Sequence, residues 1–143
     1  MDKLEVAKTW YRRVYAEEDL SAIDDMLEPR TDAKGLGGQP LLGPEDFKGF
    51  VQGMLALLSD IDISIDKSME EGDWLASVIT ISARCRNTGK PITVPGQVMA
   101  KVEDGKITEA HNAVDFLSMF SQLGLLPEDA FATCFSGTRV GGT

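Results

Sequence analysis

Residues 43–68 read GPEDFKGFVQGMLALLSDIDISIDKS, and within this stretch the spacing of apolar side chains changes from a helical period to an alternating one. The first part predicts a helix that begins at Pro44 and runs to about Leu58, with apolar residues three and four positions apart. From Ile61 onward, isoleucines alternate with Asp or Ser, which is typical of a half-buried strand. The stretch therefore predicts a helix followed directly by a strand that buries one face.

Downstream of this stretch, β-rich segments alternate with turn sequences that contain glycine. The turns are EEGD (70–73), NTGKP (87–91) and EDGK (103–106). The predicted strands are 61–68, 74–86, 92–103 and 107–115. Pro95 and Gly96 predict a bulge or bend in the third of these strands. A short helix from Phe116 to Leu123 follows, and Gly124 ends it.

Upstream of the same stretch, the apolar period predicts two helices. The first spans residues 3–17, and a shorter one spans residues 21–27 and is ended by Pro29. Residues 29–44 read PRTDAKGLGGQPLLGP, and their glycines and prolines predict a loop with at most a short strand. GLGG lacks the flanking residues of a phosphate-binding loop. Asp32, in this segment, is a candidate gate residue.

Helices that precede an antiparallel meander predict an α+β fold, with N-terminal helices packed on one face of a curved antiparallel sheet. We expect the sheet to close into a cone whose open end forms an apolar pocket. Residues 1–143 are expected to form a single domain, because 43% of the 143 residues are hydrophobic and no linker or repeat interrupts them.

The charge balance excludes one class of partner. The chain has 14 Lys and Arg against 23 Asp and Glu, a net charge of -9, so the phosphate backbone of a nucleic acid would be repelled. No apolar run approaches the roughly 20 residues that span a bilayer, and the N-terminus lacks the apolar segment of a signal peptide. We therefore expect no membrane partner and a cytoplasmic location, in which Cys85 and Cys134 are reduced thiols.

Four segments together resemble the SnoaL-like polyketide cyclases, within the wider superfamily of nuclear transport factor 2 (NTF2) and ketosteroid isomerase. The segments are WYRRVYAEEDLSAIDDML, GPEDFKGFVQGMLALLSDIDISID, EEGDWLASVITI and VEDGKITEAHNAVDFLSMFSQLG. The resemblance covers about residues 3–126, and its most specific part is GKI-x-E followed by an aspartate and a helix that ends in QLG. It implies a cone-shaped α+β barrel, a homodimer formed through the outer sheet face, and neither a metal nor an organic cofactor.

The resemblance also implies a role for Asp115. In the polyketide cyclases an aspartate at the end of the last strand removes an acidic proton next to a carbonyl, and the enolate closes a ring by aldol addition. Asp115 matches that position, and a carboxylate in an apolar pocket becomes a better base because it loses solvation. The alternative is that Asp115 caps the helix that begins at Phe116, with Ser118 three residues on.

Alternation along the last strand places Glu109 and His111 on the same face as Asp115. If this face lines the pocket, His111 is a second candidate catalytic residue, and related sequences often carry Trp here, in EAWN against EAHN. The alternative is a hydrogen-bonded histidine that fills the same space. A buried Glu109 would need a partner, for which we expect Arg84 or Arg86.

Tyr11 matches the tyrosine in the first helix that donates to the oxyanion in ketosteroid isomerase, although a core tyrosine with a satisfied hydroxyl is the commoner role. The two carboxylate positions of that enzyme fall near Gly35 and Val98, so steroid-type isomerisation is not expected. Other residues are candidate substrate contacts because helices and sheet wall the pocket in this fold. They are Tyr15, Phe50, Met54, Met99 and Glu109.

Two functions are consistent with these residues. The first is a cofactor-free acid–base enzyme, a cyclase or isomerase of an apolar carbonyl compound, with Asp115 as base and His111 or Tyr11 near the developing oxyanion. The second is a non-catalytic ligand-binding or dimerisation module in which Asp115 only caps a helix. In both, the partner is a small apolar molecule, and residues 127–143 form a tail that is mobile or docks on a second subunit.

Overall fold

The structure is a computed structural model that describes residues 1–141. Its helices are α1 (Lys3–Trp10), a π-helix (Tyr11–Ala16), α2 (Ser21–Met26), α3 (Gly43–Leu57), α4 (Phe116–Gln122) and α5 (Ala130–Phe135). Its strands are β1 (Leu27–Lys34), β2 (Leu41–Leu42), β3 (Leu58–Glu71), β4 (Trp74–Cys85), β5 (Pro91–Glu103) and β6 (Lys106–Val114). The predicted α+β class is confirmed. Within residues 1–141, every helix is too short or too polar to cross a bilayer.

The six strands form one curved sheet in the order β2-β1-β6-β5-β4-β3. The sheet does not close on itself, so the expected closure into a cone was wrong. The meander from β3 to β6 is antiparallel as predicted, but β1 pairs with β6 in parallel. The segment 29–44, predicted as a loop with at most a short strand, contains two strands, the end of β1 and all of β2. Pro29 is tolerated because the β1–β6 register is interrupted between Leu27 and Asp32, where the missing N–H breaks no ladder bond.

The first predicted helix consists of an α-helix, α1, followed directly by the π-helix. Asp2 caps α1 by accepting a hydrogen bond from the backbone N–H of Glu5 at 2.8 Å. Beyond Trp10 the helix widens into the π-helix, in which the N–H of Glu17 donates to the carbonyl oxygen of Arg12 at 2.8 Å. Single π turns of this kind occur often at functional sites.

The core lies between the helices and the inner face of the sheet. Helix α1 and helix α3 meet through Trp10 and Phe47, whose rings are 5.1 Å apart in an edge-on arrangement. The side chains of Val6, Val14 and Val51 are fully buried beside them, and burial of such a side chain contributes about 1.5–3 kcal/mol. The core thus holds the helices against the sheet on the side where the cavity lies.

A one-residue bulge at Thr108 decides which side chains of β6 face the core. Lys101 of β5 pairs with Glu109, but the next residue, Val102, pairs with Ile107, so Thr108 has no partner. An extra residue reverses the alternation of the side chains that follow it. Ile107 is buried, yet Glu109 faces away from the core. Of the bulge or bend predicted at Pro95–Gly96, the bulge is absent, since both residues pair with β4 in continuous register.

The C-terminal tail contains α5. Ala130 is buried, whereas the rings of Phe131 and Phe135 are exposed and lie 4.9 Å apart. Residues 142–143, which belong to the predicted tail of 127–143, lie outside the described residues.

Candidate functional site

A cavity of about 70 Å³ lies between the helices and the inner face of the sheet. Its wall is built from α1, the π-helix, α3 and α4 on one side and from all strands except β2 on the other. Almost every lining side chain is apolar. The side chains with a hydroxyl or amide group are Tyr11, Tyr15, Thr31 and Asn112, and the indole of Trp10 adds an N–H. No carboxylate, imidazole, ammonium or guanidinium group within residues 1–141 lines the cavity.

The π-helix supplies both tyrosines. Tyr11 and Tyr15 are four residues apart, so they lie on the same side of the helix, with ring centroids 6.4 Å apart. Burial raises the pKa of Tyr11 to about 12. The pKa of Tyr15 is raised above its usual range by burial and then by the neighbouring Tyr11. Both hydroxyls therefore remain protonated near neutral pH and can donate hydrogen bonds.

The two hydroxyls have no hydrogen-bond partner among the side chains and backbone groups of residues 1–141, whereas the hydroxyl of Thr31 and the amide of Asn112 do. The hydroxyl oxygen of Thr31 lies 2.5 Å from the carbonyl oxygen of Glu28 and 2.8 Å from that of Ile107. The amide nitrogen of Asn112 donates to the carbonyl oxygen of Lys34 at 2.9 Å. The cavity thus offers a ligand two hydroxyl groups without a partner among residues 1–141, both from the π-helix.

Four of the predicted substrate-binding residues lie at this cavity, and two do not. Those that line it are Tyr11, Tyr15, Phe50 and Met54. Met99 and Glu109 lie on the outer face of the sheet, so their predicted orientation was wrong. Met99 is one of the β5 residues whose side chains point to the outer face. Glu109 follows the bulge at Thr108, which reverses the alternation of side chains along β6. The binding role of the four lining residues stays a prediction.

His111 also lies on the outer face, for the same reason as Glu109, and its predicted orientation was wrong. Its Nε2 is 2.6 Å from Oε2 of Glu109, and its ring centroid is 5.9 Å from that of Trp74. This histidine is thus hydrogen-bonded, but it does not fill the space inside the cavity that the alternative assigned to it.

The expected pairing of Glu109 with an arginine was wrong. Arg84 donates to the carbonyl oxygen of Gly89 at 2.9 Å, and Arg86 pairs with Glu18 at 3.1 Å. Trp74, at the start of β4, pairs with Lys101 of β5, which in turn pairs with Glu109 of β6. Both arginines lie at the opposite end of β4 and are therefore far from Glu109.

Asp115 caps α4. Its Oδ1 accepts a hydrogen bond from the backbone N–H of Ser118 at 3.0 Å, so the capping alternative is confirmed. Its chain neighbours Val114 and Phe116 line the cavity, but Asp115 itself is exposed and does not. The structure therefore brings neither Asp115 nor His111 to the two tyrosines.

Asp32 does not line the cavity either. It lies on the outward face of β1, where its Oδ2 is 3.3 Å from Nζ of Lys34. Its Oδ1 is buried and has no hydrogen-bond partner among residues 1–141. The neighbouring Leu36, which was not predicted as a site residue, does reach the cavity. The signal in the sequence was an isolated leucine among the glycines of GLGG.

Comparison with known proteins identifies the family. The family profile of the SnoaL-like polyketide cyclases matches residues 5–123. No curated protein matches the chain. Among solved structures, TsrD from Streptomyces laurentii is 20% identical, with a TM-score of 0.73 over 88% of this chain and 99% of that one.

Two further structures have the same fold. IdmH from Streptomyces antibioticus is 21% identical, with a TM-score of 0.74 over 87% of this chain and 99% of that one. A protein with a ketosteroid isomerase-like fold from Catenulispora acidiphila, solved with trimethylamine, is 17% identical, with a TM-score of 0.74 over 85% and 93% of the two chains. At these identities the likeness shows the fold.

Proposed function

This chain belongs to the SnoaL-like polyketide cyclase family, and from that premise we propose that its cavity binds a small, largely apolar carbonyl compound and promotes its cyclisation or isomerisation without a cofactor. The observation that carries the proposal is the pair of unpartnered hydroxyls, Tyr11 and Tyr15, in a largely apolar cavity. A carbonyl oxygen is the acceptor that two such donors fit.

The chemistry assigned to the tyrosines is stabilisation of an enolate. Loss of a proton from the carbon next to a carbonyl places negative charge on the oxygen, and fixed donors in a dry cavity stabilise that charge more than water does. The enolate carbon then bonds to a second carbonyl carbon, or is reprotonated at another position. Because no carboxylate or imidazole of residues 1–141 lines the cavity, we assign the departing proton to a hydroxide ion that enters with the ligand, which becomes water, or to a basic group of the substrate.

The lining also defines the charge of the bound compound. Since no cationic side chain of the described chain faces the cavity, a carboxylate or phosphate placed there would be desolvated without a partner, which is costly. The compound is therefore neutral in the part that the cavity encloses.

The test compares a neutral ketone with its matched hydrocarbon, using tetralone and tetralin in isothermal titration calorimetry. Each tyrosine hydrogen bond is expected to strengthen ketone binding by about fivefold, and Tyr11→Phe or Tyr15→Phe should remove this gain for tetralone only. Asp115→Asn, which keeps the helix cap, is the control and should leave both affinities unchanged. Equal affinities for ketone and hydrocarbon in the wild-type protein would refute recognition of the carbonyl.

Binding without turnover is a second candidate, favoured by the lack of a carboxylate or imidazole among the described lining residues. The two functions are separated by NMR detection of deuterium exchange at the carbon next to the carbonyl of bound tetralone. Exchange faster than in buffer, slowed by Tyr11→Phe, would establish enolisation. Exchange at the buffer rate, with tight binding, would establish the binding function alone.

We also propose a homodimer in which the outer face of the sheet is covered by a second copy. Three apolar side chains there are exposed by 76%, 39% and 47%, namely Met69, Val78 and Met99. They surround an open groove of about 790 Å³ that also includes His111. An exposed apolar patch with a polar rim is typical of an interaction surface.

A cytoplasmic location is part of the proposal. Cys85 lies on β4 and Cys134 on α5, and both thiols are free. Free thiols persist most readily in a reducing compartment. Fractionation of the native host, followed by immunodetection, would show whether the protein is found there.

A further inference from the structure

The cavity is smaller than the compounds that the proposed function requires. An engineered cavity of about 150 Å³ holds a benzene molecule, and the cavity here measures about 70 Å³. A cyclic ketone therefore cannot enter unless part of the wall moves outward. The inference that follows rests on the proposed function, because it concerns how the same ligand reaches the two tyrosines.

One lining residue differs from all the others in its backbone. Of the 21 residues that line the cavity, 20 lie on a helix or a strand, and within residues 1–141 only Leu36 lies in a loop. This loop, residues 35–40, connects β1 to β2. The backbone of a packed helix or a paired strand moves only with its element, whereas the backbone of a loop residue can move more independently.

The ends of the loop are held in place while its middle is free. At one end the amide of Asn112 donates to the carbonyl oxygen of Lys34 at 2.9 Å, and Gly35 packs so closely that a Cβ atom would lie 1.8 Å from the backbone oxygen of Asn112. Gly37 and Gly38 have φ angles of 82° and 64°, and a Cβ atom at either would meet nothing within 4 Å.

The far end is held by strand pairing. Leu41 and Leu42 of β2 pair with β1 at Ala33 and Asp32. Glycine backbones change φ and ψ at low cost, so rotation at Gly37 and Gly38 can move Leu36 between the two anchored ends.

We propose that Leu36 is the gate of the cavity and the residue that determines which compounds enter it. In the closed state its side chain completes the apolar wall and excludes water from Tyr11 and Tyr15. In the open state it leaves a passage between the loop and the sheet, and the size of residue 36 sets the size of the ligand that is admitted.

The gate is tested by stopped-flow fluorescence in a Trp74→Phe background. Trp10 lines the cavity and then reports on ligand arrival, because the second tryptophan, which contacts His111 on the outer face, has been removed. The probes are tetralone and tetralin, both neutral bicyclic compounds, so passage through the gate is measured with and without a carbonyl.

Leu36→Ala is expected to raise the association rate constant of both probes about tenfold, because truncation of this half-buried side chain removes much of the burial that holds the gate closed. Leu36→Trp is expected to lower it. The control is Leu42→Ala, since Leu42 lies just beyond the loop, is 61% exposed and does not line the cavity. The association rate constants of the Leu42→Ala variant should equal those of the Trp74→Phe protein in which it is made.

The outcomes separate the gate from the proposed function. Unchanged rate constants in both Leu36 variants, with binding intact, would overturn the gate and leave the function standing. Acceleration by Phe116→Ala in place of Leu36→Ala would also overturn it, by placing the passage at α4. Faster association of both probes with equal affinity for ketone and hydrocarbon would support the gate and refute carbonyl recognition. No binding of either probe by any variant would refute both.

Discussion

The side-chain amide of Gln122 forms two hydrogen bonds with the backbone of Thr93. The N–H of Thr93 donates to Oε1 of Gln122 at 3.0 Å, and Nε2 of Gln122 donates to the carbonyl oxygen of Thr93 at 2.9 Å. Strand β6 ends opposite Gly96, so this edge of β5 would otherwise be unpaired. The glutamine takes the place of a strand residue and fixes α4, and with it Phe116, at the cavity.

Gln122→Met should therefore destabilise the protein by about 1–3 kcal/mol, since the N–H and carbonyl groups of Thr93 lose their partner. Gln122→Glu keeps an acceptor for the N–H but faces the carbonyl with a second acceptor, so it should destabilise as well. Urea unfolding followed by circular dichroism measures both. If both variants match the wild-type protein, the two bonds contribute nothing to stability.

Asp115→Ala should lower the free energy of unfolding by about 1 kcal/mol, because the backbone N–H of Ser118 loses its acceptor at the start of α4. Asp115→Asn retains a capping oxygen and should cost only a few tenths of a kcal/mol. Thermal unfolding of the two variants gives the comparison. A loss of deuterium exchange at bound tetralone in Asp115→Asn, with stability intact, would instead restore Asp115 as a base.

The helices and the antiparallel strands could be predicted because their signals are local. The change of apolar period around Leu58 and the glycine turns depend only on neighbouring residues. Strand β1 could not be predicted, because Pro29 and the glycines after Lys34 favour a loop, and the strand exists through its pairing with β6. Pairing between distant segments leaves no periodic signal in either one.

Only part of the candidate site could be predicted, because local signals were again reliable and pairing between distant segments was again not visible. Tyr11 and Tyr15 lie on a helix, where spacing alone places them on one side. Glu109 and His111 were placed on the wrong face, because the bulge at Thr108 is a property of the β5–β6 register and strict alternation ignores it.

Gly35→Ala should be severely destabilising, whereas Gly37→Ala should have a moderate effect. Both glycines have positive φ, 86° and 82°, so each alanine incurs a backbone penalty of about 1–2 kcal/mol. Only at Gly35 does the added Cβ also overlap the backbone oxygen of Asn112. Thermal unfolding measures the difference, and equal losses would show that the close approach between the loop and β6 is not rigid.

Met99→Glu should convert the proposed dimer into a monomer, because it places a charge in the centre of the apolar outer face. Light scattering coupled to size-exclusion chromatography measures the mass of each protein. Leu42→Glu adds the same charge at an exposed position outside that groove and should remain dimeric. A monomeric wild-type protein, or a dimeric Met99→Glu variant, would contradict an interface on this face.

The two tyrosines should make stability depend on pH in the alkaline range. In the folded protein burial raises the pKa of Tyr11 to about 12 and that of Tyr15 further, while an unfolded tyrosine has a pKa of about 10. Below pH of about 10 both states are protonated, so neither tyrosine contributes a pH dependence.

As the pH rises above that value, the unfolded chain loses the protons first and the folded state becomes less stable. The slope should be about 1.4 kcal/mol per pH unit for each tyrosine. The free energy of unfolding is measured with urea from about pH 10 to about pH 12, for the wild-type protein and for the Tyr11→Phe/Tyr15→Phe double variant. The comparison isolates the contribution of the two tyrosines, because the two proteins share every other titrating group. The double variant should lose the slope. An unchanged slope would mean that the hydroxyls are not desolvated, and the cavity would then lack the dry donors on which enolate stabilisation depends.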